Sequence, residues 1–140
     1  NKGALKNLTT LTTLKGKQLT EVPKLLSSLM PKLTTLDLQE NLLTDLGDEF
    51  ANFKALKRLD LRKNQFVELP DSLFELKTLT HLYLGRNRLD RLSPNIGELK
   101  ALTELNLAQN RLNELPAEIG ELGDLKILVT EGNKNLEELP

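Results

Sequence analysis

Residues 79–101 read LTHLYLGRNRLDRLSPNIGELKA, and the rest of the chain repeats the spacing found in this stretch. Its first nine residues place three leucines and one asparagine in the order LxxLxLxxN. The same order begins at residues 33, 56 and 102, so the period is 23 residues. Self-similarity at a fixed period of this length predicts a repeat protein in which each unit buries its leucines against its neighbours.

The second half of each unit repeats as well. Residues 69–76 read LPDSLFEL and residues 115–122 read LPAEIGEL, with apolar side chains three or four positions apart. This spacing predicts a short helix or 3₁₀ segment, and proline is tolerated near its start because the first N–H groups of a helix have no partner inside it. The alternation from Leu82 to Leu84 instead predicts a short strand with one buried face.

The repeats divide a single domain, residues 1–140, into regular and degraded units. We assign four regular repeats to 33–124 and degraded repeats to 8–32 and 125–140. The sequence ends part way through a unit, and the terminal coils of a stacked repeat need polar caps. We therefore expect a fragment of a longer chain, whose uncapped C-terminal coil continues in the parent chain or is covered by a partner.

Composition narrows the class of protein. Leucine accounts for 36 of the 140 residues, while the net charge of −1 gives no general reason to expect nucleic acid as a partner. No apolar stretch approaches the roughly 18 residues that a membrane-spanning helix needs, so we expect no membrane insertion. Cysteine is absent, which excludes disulfides and favours an intracellular, cytoplasmic location over a secreted one.

The consensus LxxLxLxxNxLxxLPxxIxxLxx resembles the leucine-rich repeat family over residues 8–140. Its 23-residue unit with an internal Leu-Pro is similar to the subclass in Ras-suppressor-type scaffolds, plant intracellular Ras-group proteins, Roco proteins and many bacterial leucine-rich repeat proteins. The resemblance implies an α/β solenoid, with short parallel strands on the concave face and short helical or 3₁₀ segments on the convex face. It also points to signalling as a context.

Signals for catalysis are weak throughout the sequence. The eight glycines are scattered and none precedes Lys-Ser or Lys-Thr, so no phosphate-binding loop is predicted. His81 is the only histidine, which rules out a zinc site built from several histidines. We predict no enzymatic activity, no metal site and no small-molecule cofactor for these residues.

The third, fifth, seventh and eighth positions of each unit point away from the core and form the concave sheet face. The sole tyrosine and the sole histidine fall on this face two residues apart, with arginines around them. Tyrosine and arginine are enriched in binding hot spots. The predicted partner-binding residues are Arg58, Asp60, Arg62, His81, Tyr83, Arg86, Glu104 and Asn106.

Further expectations concern single positions. Gly85 and Ala108 are expected to leave a shallow floor on the concave face that admits a partner side chain. Lys15 is assigned to the eighth position of the first unit, and Phe74 is expected to be half exposed on the convex side. The phenylalanines that replace repeat leucine or isoleucine positions, and are expected in the core, are Phe50, Phe53 and Phe66.

We predict a non-catalytic protein–protein recognition module or scaffold that binds a protein partner, of unknown identity, on its concave face. Two other functions stay open. One is the substrate-recognition domain of a multidomain enzyme (a kinase, a Roco GTPase or a bacterial effector ligase) whose catalytic part lies outside this chain. The other is a structural subunit of a large assembly. The alternative to a binding patch is a solvated face on which Arg58 and Arg62 only balance Asp37 and Asp60.

Overall fold

Residues 2–137 are described by the computed structural model, and they form a solenoid of stacked coils. Each coil contributes one short strand, and the strands lie parallel in a single open sheet in chain order. Residues 138–140, the end of the coil expected to be uncapped, lie outside the described residues. The strands are β1 (Thr10–Leu11), β2 (Thr35–Asp37), β3 (Arg58–Asp60), β4 (His81–Tyr83), β5 (Glu104–Asn106) and β6 (Ile127–Val129).

Short helical segments on the convex side return the chain from one strand to the next. α1 (Lys2–Leu5) precedes the first strand and α2 (Leu26–Leu29) follows it. The later coils use 3₁₀ helices, and two of these begin directly after a proline that has extended backbone geometry. The predicted solenoid, with parallel strands on one side and helical segments on the other, is therefore confirmed. The 3₁₀ helices span Asp48–Asn52, Asp71–Glu75, Pro94–Glu98 and Ala117–Glu121.

The strand register stacks the repeat leucines into a continuous core. Leu59 pairs with Leu82, and Leu82 pairs with Leu105 in the next strand. All three side chains are fully buried. The corresponding leucines of the two edge strands, Leu11 and Leu128, are only partly buried because each has a neighbouring strand on one side only. Since burying a leucine contributes about 1.5–3 kcal/mol, the central coils carry most of the stability.

A ladder of buried asparagines ties each coil to the preceding one. The Asn64 Oδ1 accepts a hydrogen bond from the Leu43 N–H at 3.0 Å, and its Nδ2 donates to the Leu38 and Leu61 carbonyls at 2.9 and 3.1 Å. Buried polar groups need partners of this kind because an unsatisfied one is costly. The predicted ladder is therefore confirmed, and its members are Asn41, Asn64, Asn87, Asn110 and Asn133.

A residue in the left-handed conformation turns the chain just before each ladder position. Lys63 has a φ of 58°, and its N–H donates to the Gly85 carbonyl of the next coil at 3.0 Å. Left-handed geometry costs a non-glycine residue about 1–2 kcal/mol, and this hydrogen bond offsets part of it. In the first coil Gly16 takes this position, with a φ of 68° and a bond to the Gln39 carbonyl. The expectation for Lys15 is therefore wrong by one residue, because the extra residue of that coil precedes the turn.

One of the four phenylalanines lies deeper than the sequence suggests. Phe50, Phe53 and Phe66 are buried as expected. Phe74 is only 3% exposed, so the expectation of a half-exposed ring is wrong. It belongs to the 3₁₀ helix Asp71–Glu75, which packs between the 3₁₀ helices of the preceding and following coils. This lateral packing covers the ring from both sides.

Candidate functional site

The sheet register arranges six of the eight predicted site residues in two rows on the concave face. The rows alternate with buried leucines along each strand, so their side chains point to the open side of the sheet. Neighbours within a row belong to adjacent strands, about 4.8 Å apart. The first row consists of Arg58, His81 and Glu104. The second row consists of Asp60, Tyr83 and Asn106.

Tyr83 stands at the centre of the side-chain contacts. The Arg58 Nη2 donates a hydrogen bond to the Tyr83 hydroxyl at 3.0 Å. The Arg62 Cζ lies 5.3 Å from the centroid of the tyrosine ring and the Arg58 Cζ lies 5.9 Å from it, both within the range of cation–π attraction. The His81 ring is tilted against the same ring at 6.3 Å between centroids. Side chains of two adjacent coils therefore hold this one aromatic ring.

Asp60 holds the second arginine in place. The Arg62 Nη2 donates to the Asp60 Oδ2 at 2.6 Å, and the Arg62 Nε donates to the Asp60 Oδ1 at 2.9 Å. The side chain of Asp60 is 13% exposed and that of Arg62 is 43% exposed. This two-point ion pair fixes the guanidinium plane while it leaves one side of the group open to a partner.

Side-chain oxygens at the fifth position of three units also accept hydrogen bonds from backbone N–H groups. The Asp60 Oδ1 accepts from the Arg62 N–H at 3.1 Å, and the Asn106 Oδ1 accepts from the Ala108 N–H at 2.9 Å. Asp37 makes the same contact with the Gln39 N–H at 3.0 Å. The stacked Asp37 and Asp60 carboxylates therefore stabilise the turns that follow their own strands.

The protonation states of the two central groups are set by their neighbours. Burial and a hydrogen bond with Glu104 raise the pKa of Tyr83 above its ordinary value of 10.0, while the positive charge of Arg58 opposes this rise. The hydrogen bond with Asp60 raises the pKa of Arg62. At neutral pH the site thus presents a neutral phenol between positively charged guanidinium groups.

A hollow of about 350 Å³ opens beside Tyr83, but neither Gly85 nor Ala108 is among the residues that line it. A methyl group built on Gly85 would lie 3.7 Å from the Arg62 Cγ and 3.4 Å from the Asn106 Oδ1, so the Arg62 stem already covers this glycine. Gly85 is therefore buried and not open to a partner, whereas the shallow floor expected at Ala108 stays a prediction. The hollow is lined by Thr12, Thr35, Leu36, Asp37, Arg58, Asp60, Arg62, Tyr83 and Asn106.

The structure brings together seven of the eight predicted site residues and separates Arg86 from them. Arg86 follows the end of β4 in the left-handed turn, and its exposed side chain makes no polar contact with the others in the part of the chain described. The hollow adds three polar residues that were not predicted as partner-binding: Thr12, Thr35 and Asp37. Their signal in the sequence is their place in the same two rows, one or two coils towards the N-terminus.

Among residues 2–137, the side chains form no arrangement typical of a catalytic or metal-binding site. The His81 Nδ1 lies 2.8 Å from the Thr80 hydroxyl, and no serine or carboxylate contacts this imidazole in the described structure. No group of three or more histidine or acidic side chains is placed to hold a metal ion within this part of the chain. No helix of the described residues has the length and apolar character that crossing a membrane requires.

Comparison with solved structures finds similar solenoids in several organisms. The leucine-rich repeat protein LIC12759 of Leptospira interrogans is 38% identical with a TM-score of 0.83; the match covers 91% of this chain and 32% of that one. The leucine-rich repeat domain of the type III effector XopL is 26% identical with a TM-score of 0.82, over 98% of this chain and 49% of that one. The chain therefore spans about a third to a half of these relatives.

A plant receptor shares the same fold. The ectodomain of the Arabidopsis thaliana membrane receptor kinase GASSHO1/SCHENGEN3, solved in complex with Casparian strip integrity factor 2, is 36% identical with a TM-score of 0.69; the match covers 83% of this chain and 14% of that one. No curated protein sequence matches the chain. The family model described as leucine rich repeat matches residues 6–66 and 54–112, more than half of the sequence. The chain therefore belongs to the leucine-rich repeat family.

Proposed function

We propose that the protein is a recognition module that binds a protein partner on its concave face, with Tyr83 at the centre of the contact. The observation that carries this proposal is the pair of arginines, Arg58 and Arg62, that hold the tyrosine beside an open hollow. The fold itself suggests a protein-interaction module, and these contacts favour the concave face as its binding surface. Tyrosine and arginine are also the residue types that dominate hot spots in protein interfaces.

Preorganisation supports this assignment over a simple solvated face. The Tyr83 hydroxyl is bonded to Arg58, and the Arg62 guanidinium is bonded to Asp60 at two points. A partner that docks here would therefore order few additional side chains, which reduces the entropic cost of association. Isolated surface charges that only balance each other gain little from such fixed geometry.

The solved relatives agree with a binding role. The plant receptor ectodomain was crystallised in complex with a named factor, which shows that a solenoid of this kind serves as a binding surface in that protein. By analogy, we propose that the present chain recognises a protein ligand. An intracellular location, and a place within a multidomain enzyme or a large assembly, stay predictions.

Affinity capture from a lysate, read by mass spectrometry, tests the proposal. The test variant combines Tyr83→Ala with Arg62→Glu, which removes the aromatic centre and reverses one of the charges beside it. The control combines Leu42→Ala with Arg91→Glu, because Leu42 and Arg91 are exposed and lie outside the contacts around Tyr83. Circular dichroism establishes that both variants are folded.

We expect the control to retain the proteins captured by the parent chain and the test variant to lose them. Truncation of a hot-spot residue typically costs 2 kcal/mol or more, roughly a 30-fold loss of affinity, so captured material should fall below detection. If the folded test variant recovers the same proteins in the same amounts as the parent, the concave patch is not the binding surface.

A further inference from the structure

Three arginines in the turns that follow β4 and β5 have no side-chain partner within the described part of the chain. Arg86, Arg88 and Arg111 are exposed, and none of them makes an ion pair, a side-chain hydrogen bond or a ring contact among residues 2–137. The chain has six arginines. The other three are all engaged: Arg58 with Tyr83, Arg62 with Asp60, and Arg91 with Glu68.

The backbone places these three residues in the corresponding turns of two adjacent coils. The Arg88 N–H donates to the Phe66 carbonyl at 2.9 Å, and the Arg111 N–H makes the equivalent bond to the Leu89 carbonyl at 2.8 Å. Arg88 and Arg111 therefore occupy the same position in adjacent coils, about 4.8 Å apart. Arg86 lies on the other side of the buried Asn87 from Arg88. We call Arg86, Arg88 and Arg111 the arginine edge.

Three carboxylates of this coil and the coils before it are paired with other cations. Glu40 is bonded to Lys63 at 3.2 Å, and Glu68 is bonded to Arg91 at 2.6 Å. Asp90 also lies nearest to Arg91, at 3.8 Å. The like charges of the arginine edge thus repel each other, and none of the three forms an ion pair with an acid among residues 2–137.

We infer that the arginine edge binds a short acidic segment, rich in aspartate or glutamate, of the protein partner that docks on the concave face. This inference rests on the proposed function and adds the chemistry of the partner. Guanidinium groups bind carboxylates through two parallel hydrogen bonds, and all three groups are free to do so. A segment that leaves the hollow beside Tyr83 along the strand direction would pass over this edge, because Arg86 lies three residues beyond the end of β4.

The surroundings favour an acidic peptide over a nucleic acid. The arginine edge covers two adjacent coils only. Glu40 occupies the position equivalent to Arg86 two coils before it, and Glu131 follows the last strand in the coil after Arg111. A continuous phosphate backbone would meet both carboxylates, whereas two or three acidic side chains fit between them. Nonspecific nucleic-acid binding instead needs a long basic track.

A nuclear magnetic resonance titration tests this inference with defined probes. The Nε–Hε signals of the six arginines are followed while an oligoglutamate peptide, an oligolysine peptide or oligothymidine is added. Arg86→Gln, Arg88→Gln and Arg111→Gln are combined in one variant. A matched control combines Lys54→Gln, Lys77→Gln and Lys100→Gln, which removes the same charge from exposed residues on the opposite edge.

We expect oligoglutamate to shift the signals of Arg86, Arg88 and Arg111 and to leave that of Arg91 in place. The arginine variant should bind oligoglutamate about tenfold more weakly than the parent, and the lysine variant should bind it nearly as well. Equal losses in both variants, an absence of shifts at the arginine edge, or tighter binding of oligothymidine than of oligoglutamate would each overturn the inference.

The two proposals can fail separately. If Tyr83→Ala with Arg62→Glu abolishes capture while oligoglutamate leaves the arginine edge unchanged, the concave patch binds a partner and the acidic segment is wrong. If that variant captures the same proteins as the parent, the proposed function fails whatever the titration shows.

Discussion

Replacing a central ladder asparagine should weaken the whole solenoid by an amount that the hydrogen bonds of Asn87 define. The Asn87 Oδ1 accepts from the Phe66 N–H at 3.1 Å, and its Nδ2 donates to the Leu61 and Leu84 carbonyls, both at 3.0 Å. The side chain is 8% exposed, so water cannot replace these bonds freely. Asn87→Ala removes these three contacts together with a longer bond from Nδ2 to the Gly85 carbonyl at 3.4 Å.

The lost hydrogen bonds do not contribute equally to stability. The Leu61 carbonyl keeps its bond from Asn64, and the Leu84 carbonyl keeps its bond from Asn110, so each loses only one of two partners. The Phe66 N–H is left buried and unpaired, which costs about 1–3 kcal/mol by itself. With about 0.5–1 kcal/mol for each carbonyl bond, the expected loss in free energy of unfolding is about 3 kcal/mol.

Urea unfolding followed by circular dichroism measures this loss. Asn113→Ala is the control, because Asn113 is exposed and makes no side-chain hydrogen bond in the described structure. The same chemical change at that position should alter the unfolding free energy by less than about 0.5 kcal/mol. If Asn87→Ala unfolds at the same urea concentration as Asn113→Ala, the ladder does not stabilise the coils and our account of their stacking is wrong.

Three other outcomes follow from single side chains. Leu82→Ala should lower the free energy of unfolding by about 2–5 kcal/mol in the same urea assay, since the leucine is fully buried, and a smaller loss would contradict its place in the core. Tyr83 is the only tyrosine, so an ultraviolet titration should give a pKa above 10.0, and Glu104→Gln should lower it. Because the pKa is raised in the folded state, the free energy of unfolding should fall as pH rises from 10.0 through the raised pKa. A midpoint at or below 10.0 would show that the ring is not buried beside Glu104. Gly132→Ala should lower the free energy of unfolding by about 1–2 kcal/mol, because Gly132 has a φ of 79° and the new methyl group would lie 2.8 Å from the Gln109 Cγ. An unchanged melting temperature would contradict the geometry of that turn.

The constant period is the reason that the sequence predicts the sheet and the ladder well. A spacing of 23 residues allows one register only, so the pairing of Arg58 with His81 and of Asp60 with Tyr83 follows from the leucines between them. The asparagine positions follow for the same reason. The rows of exposed residues could therefore be identified before any side chain was placed.

Side-chain conformations and irregular coils were not predictable in the same way. The Arg62 stem covers Gly85 because the guanidinium group is drawn to Asp60, and no periodic pattern encodes that choice. Phe74 is buried because adjacent 3₁₀ helices pack side by side, whereas the sequence pattern only records which face of its own segment it occupies. Such features depend on contacts between coils rather than on the repeat within one coil.

Site-specific photo-crosslinking tests most directly whether the concave face is the binding surface. A photoreactive residue is placed at His81, on the concave face, or at Glu75, exposed in a 3₁₀ helix on the convex side. After irradiation in a lysate, the account predicts protein adducts from position 81 and none from position 75. Adducts that form only from the convex position, with none from the concave one, would contradict it.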